Sequence, residues 1–151
     1  MLLQRHETKM LLLGAFGKYQ ERLGFKVYGF VIMDNHLHIL IQIQGAKNLS
    51  VMMQKVLLSF GKMYRKDNAY VGYFWQGRFI AQSIISDKGM WEVINYVHNN
   101  PVKVNIVQAQ HKYRYSSAYK YHGLINKEIE QLISVTKYGD TSVGNSELIK
   151  V

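Results

Sequence analysis

Two histidines stand two residues apart in the stretch Met33–Gln42, M-D-N-H-L-H-I-L-I-Q. Successive side chains of a strand leave opposite faces. On a strand, His36 and His38 therefore share one face, and Leu37, Ile39 and Ile41 take the other. Neutral imidazoles held side by side on a sheet are competent metal ligands. The plainer alternative is two half-buried histidines, each satisfied by a hydrogen bond. The preceding Val27–Met33, V-Y-G-F-V-I-M, is equally strand-like. Asp34-Asn35 between them tolerates the positive φ of a tight turn, so residues 26–43 are predicted as a β-hairpin.

A helical pattern from Asp87 through Met90, Trp91, Ile94 and Val97 carries the next candidates. Residues four apart share a helix face, which aligns Glu92, Tyr96 and approximately Asn100. Pro101, the sole proline, disfavours helical geometry at Asn100, so the helix is expected to end there or just before. A free tyrosine titrates near 10, so on the order of 0.1% is phenolate at pH 7. A tyrosine nucleophile therefore needs help, and a divalent metal that polarises and places a phosphate would provide it. His36 and His38 would supply two ligands to such a metal, with Asn100 or Glu92 as the third. The acids before residue 123 are Glu7, Glu21, Asp34, Asp67, Asp87 and Glu92, and they form no cluster in sequence. That argues against a carboxylate-built two-metal nuclease.

The remaining elements must position these groups. A helix is predicted over 9–23, with Thr8 as cap and Gly24 as terminator. Asn48 is the expected cap of an amphipathic helix running to about Arg65. Tyr73–Ile80 reads as a strand that extends toward Ile85, with aromatics interleaved by Gln76 and Arg78. That pattern suits either base stacking or a core strand. Lys112–Tyr121, K-Y-R-Y-S-S-A-Y-K-Y, is aromatic, basic and polar. A short peripheral helix over Lys127–Val135 and a polar end follow. The order points to an α+β fold, an antiparallel sheet with helices packed mainly on one face. The expected division is a body over 1–122 and a peripheral tail over 123–151.

Composition narrows the partners. The 151 residues carry net charge +9, with no cysteine, 11 Tyr, 6 Phe and 2 Trp. The basic excess lies before residue 123. A basic, aromatic-rich body suits a polyanion, with nucleic acid the first candidate. The absence of cysteine excludes disulfides and thiolate zinc sites and suits a cytoplasmic setting. Apolar runs are short of the roughly 20 residues a membrane span needs.

Met33–Leu40 resembles the His-hydrophobic-His motif of the single-tyrosine HUH transposases. Trp75–Phe79, Tyr96–Lys103 and Tyr113–Tyr119 follow in that family's order and spacing. The set is most similar to the REP-associated tyrosine transposase branch and spans about 8–122. The resemblance implies a ferredoxin-like fold and metal-dependent cleavage and rejoining of single-stranded DNA at hairpin-marked sites, through a 5′-phosphotyrosine link. It implies Tyr96 as nucleophile; His36, His38 and Asn100 as ligands of Mg²⁺ or Mn²⁺; and Trp75, Gln76, Arg78, Lys103 and Arg114 as DNA contacts. It also carries the expectation of a homodimer, since many members are dimers. The alternative is a non-catalytic or domesticated nucleic-acid-binding relative. Two departures stand out. Asp34 replaces a common proline, and only Met1–Glu7 precede the first helix. The first strand of the sheet must come from residues 1–5, or a full one is lacking.

Overall fold

The computed structural model describes residues 1–44, 48–69, 72, 74–75, 79–139 and 143–151. Its long elements are α1 (His6–Leu23), β1 (Lys26–Ile32), β2 (Leu37–Ile43), α2 (Leu49–Asn68), β3 (Ile80–Ile84) and α3 (Asp87–Lys103). After a 3-10 turn at Gln110–Lys112 come two single-turn helices, α4 (Ala118–Tyr121) and α5 (Lys127–Glu130), and a last strand, β4 (Asn145–Lys150). The four strands form one antiparallel sheet in the order β1-β2-β4-β3.

The hairpin forms where the pattern places it. Met33 N–H donates to the His36 carbonyl at 2.8 Å and closes the turn over Asp34-Asn35, although neither residue takes the positive φ expected from the sequence. Val27 pairs with Ile41 and Gly29 with Leu40, so Tyr28 is an extra residue in the ladder. The Tyr28 hydroxyl donates to Gln42 Oε1 at 2.9 Å. An ion pair of 2.7 Å ties the turn to α1, from the buried Lys9 ammonium to Asp34.

The two faces of the sheet have separate cores. Phe30, Ile32, Leu37, Ile39 and Ile41 pack with Leu12, Leu13 and Phe16 of α1 and with Met52, Met53, Val56 and Phe60 of α2. Tyr28 and Leu40 pack on the other face with Met90 and Ile94 of α3, and Val31 packs with Val97. Two of the three long helices thus share one face, while α3, together with Tyr113, Tyr121 and Tyr138, covers the face to which His38 belongs.

Several boundaries differ from the sequence reading. Helix α1 begins at His6 with Arg5 as N-cap, and Thr8 is buried inside it. Gly24 terminates it in the left-handed conformation as expected, at φ 65°. Asn48 caps α2 by accepting from Ser50 and Val51 N–H. The aromatic strand is shorter than expected: β3 spans Ile80–Ile84, and Phe74 and Trp75 are not in it. Ser86, not Asp87, caps α3.

Helix α3 runs through Pro101 rather than stopping before it. Proline sits one turn from the end here, so its missing N–H removes only one ladder bond, and its ring is buried. The helix ends at Lys103 with Val104 as its cap, and Asn105 just beyond is left-handed, at φ 58°. Residue 100 keeps helical geometry, and its alignment with Tyr96 holds.

The end of the chain departs furthest from expectation. Residues 145–150, assigned by sequence to a peripheral tail, form β4 inside the sheet, between β2 and β3. Residues 1–5 form no strand; Leu3 N–H instead donates to the Asp34 carbonyl at 3.1 Å. The ladder continues past β4, since Leu37 and Val151 exchange backbone bonds of 2.9 and 3.0 Å. Gly144 opens β4 at φ 49° beside Gln42, whose amide donates to the Val143 carbonyl at 3.1 Å.

Candidate active site

His36 ends the turn and His38 is the second residue of β2. Their rings meet edge to face, with centroids 4.9 Å apart at 82°. Asn35 Oδ1 lies 2.6 Å from His36 Nδ1 and accepts its proton, which leaves Nε2 as the lone-pair nitrogen. His38 is 3% exposed, and its Nδ1 is buried with no hydrogen-bond partner among the described residues. A buried ring nitrogen without a partner is what a metal ligand leaves when the metal is removed from view. Burial lowers the pKa of both rings. For His36 the nearby Lys150 adds to it. For His38 burial acts first, then His36 and Lys150, down to about 4. Both imidazoles are therefore neutral at pH 7, the form that binds a cation.

Helix α3 brings Tyr96 over this pair. Its ring meets His38 edge to face at 5.3 Å and 76°, and it is 41% exposed, open to a large substrate. Lys103 Nζ stands 4.9 Å above the Tyr96 ring centroid. Asn100 Nδ2 donates to the Tyr96 carbonyl at 2.8 Å, which leaves Oδ1 free of that bond. Between α3 and the sheet lies a cleft of about 350 Å³ lined by His38, Ile80, Gln82, Glu92, Val93, Tyr96, Leu148 and Lys150.

The structure thus gathers His36, His38, Tyr96 and Lys103. Glu92 lines the cleft but lies 3.8 Å from Lys88 and is exposed. Among the described residues no group of three His, Cys, Asp or Glu is arranged to hold a metal. Among the described residues the two histidines thus have no third partner of those types beside them.

Arg114 and Trp75, also expected as DNA contacts, stand elsewhere. Arg114 pairs with Glu128 at 2.5 Å. Trp75 packs its half-buried ring against Phe60, with centroids 5.5 Å apart. Gln76 and Arg78 lie outside the described residues.

The aromatic 112–121 segment works as a clamp on β1. Tyr113 and Tyr121 hydroxyls donate to the Ile32 and Tyr28 carbonyls, and Ile32 N–H donates to the Tyr115 carbonyl. Ser117 Oγ meets Phe30 N–H and His98 Nε2, both at 2.8 Å, and thereby joins β1 to α3. This network ties α3, the helix that carries Tyr96, to β1. The family motif marked the segment, but its tyrosines and serines could not be told from a nucleic-acid surface by type.

A family model described as IS200-like transposase matches residues 2–100, a span that holds both histidines, Tyr96 and Asn100. The chain belongs to the IS200-like transposase family. A solved structure agrees in fold with this transposase, that of a REP-associated tyrosine transposase bound to a REP hairpin. It has a TM-score of 0.67 at 20% identity, over 89% of this chain and 77% of that one. No curated protein matches the sequence. Among the described residues no helix of this transposase is long and apolar enough to cross a membrane.

Proposed function

We propose that this transposase is a metal-dependent single-stranded DNA endonuclease and strand transferase with Tyr96 as nucleophile. The observation that carries the reading is the edge contact of Tyr96 on His38, beside a second neutral histidine. The Tyr96 hydroxyl oxygen attacks phosphorus, and the bond from phosphorus to the 3′ oxygen breaks. The strand ends are a 5′-phosphotyrosine and a free 3′-hydroxyl, formed as the leaving 3′ oxygen takes up a proton to balance the one that the tyrosine hydroxyl loses. Reversal onto another 3′-hydroxyl rejoins DNA and frees the tyrosine.

Mg²⁺ or Mn²⁺, when bound, would polarise the phosphate and offset its growing charge. His36 and His38 would hold it, with Asn100 Oδ1 as the third protein ligand. Asn35 fixes the tautomer of His36, and Lys103 keeps a positive charge at the reacting ring. Recognition is assigned to hairpin DNA, by analogy with the hairpin-bound structural neighbour and in keeping with the basic charge. Lys103 is the proposed contact at the reacting strand, and Trp75, Gln76, Arg78 and Arg114 are candidates for the hairpin. The setting would be the cytoplasm, with a second copy of the chain as a candidate partner. A binding-only relative has no use for an intact His36–His38–Tyr96 contact, which favours the enzyme.

Single-stranded oligonucleotides bearing hairpins from DNA flanking the gene test the reading. With Mn²⁺, a 3′-label is expected to stay on the protein in denaturing gels, and a 5′-label to be released. EDTA should abolish both outcomes. Tight binding without an adduct in either metal would select the binding-only relative.

A further inference from the structure

The match to the family ends at residue 100, and the strand that completes the cleft comes from residues 145–150. Its contribution to the cleft is Lys150. In the ladder Lys150 lies directly opposite His38 on one side and Ile80 on the other. Leu37 and Val151 form the adjoining hydrogen-bonded pair, so His38 and Lys150 are a non-hydrogen-bonded pair, whose side chains stand closest. Lys150 and Leu148 share the cleft face with His38, Gln82 and Tyr96.

The charges around Lys150 are out of balance. A second lysine, Lys103, stands at the Tyr96 ring. Among the described residues the one carboxylate lining the cleft, Glu92, lies near Lys88. Among the described residues Lys150 makes no ion pair. A lysine next to two metal-ligand candidates is unfavourable by itself, because it repels the cation they would bind. An anion placed between them reverses the sign of that interaction. A phosphodiester is such an anion, and its negative charge grows at the transition state.

We propose that Lys150 is a catalytic residue: its ammonium holds a non-bridging oxygen of the scissile phosphate, between the His36–His38 pair and Tyr96. The active site is then closed by the last strand of the chain, outside the segment that carries the family's motifs. The proposal rests on the tyrosine strand-transfer reading and adds a phosphate ligand to it.

The test compares wild type, Lys150→Met and Lys150→Arg with the same 3′-labelled hairpin oligonucleotides and Mn²⁺. Met keeps the length and strand packing of lysine without its charge. Lys150→Met is expected to slow adduct formation about tenfold or more, and Lys150→Arg to recover most of the rate. Mn²⁺ affinity of the DNA-free protein should not fall in Lys150→Met, because a repulsive charge has been removed. A slowed rate with weakened Mn²⁺ binding and a lowered melting temperature would mark a structural role and overturn the proposal. So would a Lys150→Met rate within twofold of wild type. If wild type itself forms no adduct, the strand-transfer reading fails, and this one with it.

Discussion

The Tyr96 ring stands edge-on to the His38 ring at 5.3 Å, across the gap between α3 and β2. The two residues are 58 positions apart in sequence and meet because separate devices hold each in place. Pairing with β1 and β4 fixes His38. Tyr96 is held through His98 on the same helix, which Ser117 ties to Phe30 of β1.

Asn100, four residues from Tyr96 on a helix that runs through Pro101, is the proposed third ligand. Asn100→Ala is expected to weaken Mn²⁺ binding at least tenfold, and Glu92→Gln to change it less than threefold, both by calorimetric titration of the DNA-free protein. The reverse order would move the third ligand to Glu92.

Acid should destabilise the fold well above the carboxylate range. His38 and His98 are buried and neutral, each lowered to about 4, His98 mainly by burial and then by His122. Unfolded histidine takes up its proton near 6.5. A folded-state pKa below the unfolded one means that stability is complete above about 6.5. It is lost as pH falls toward 4. The expected loss is roughly 1–3 kcal/mol per histidine, measured by urea unfolding at pH 7 and pH 5. His98→Gln should flatten part of that slope. A pH-independent midpoint would contradict the burial of these rings.

Asp34 neutralises the Lys9 ammonium, which is only 3% exposed. Asp34→Ala leaves that charge unpaired and is expected to cost about 1–3 kcal/mol, less than for a fully buried pair because Asp34 is half exposed. The double variant Lys9→Met, Asp34→Ala should recover much of it. A single-variant loss below about 0.5 kcal/mol in chemical denaturation would show that the pair is dispensable.

The hairpin and its histidines were legible because a period-two pattern and a two-residue turn are local signals. Asn48 and Gly24 were legible for the same reason, as caps act within one turn. Strand β4 was not. Its residues are polar and short, and its partners are Leu37–Ile43 and Ile80–Ile84, many residues away. Nothing in N-S-E-L-I-K announces a place between them. The role of the tyrosines of 112–121 was not legible for a different reason. A phenol looks alike in sequence whether its hydroxyl meets a base or, as at Tyr113, the Ile32 carbonyl. Pro101 was read as a stop because its place in the last turn of a helix is invisible without the helix end.

The central claim is that Tyr96 becomes covalently joined to DNA. Wild type and Tyr96→Phe should be incubated with the hairpin oligonucleotides and Mn²⁺, digested, and the nucleotide-bearing peptide located by mass spectrometry. The account predicts a phosphonucleotide on the peptide that contains Tyr96, and none in Tyr96→Phe, with hairpin affinity unchanged within about threefold. An adduct on another residue, or one that persists in Tyr96→Phe, would contradict it.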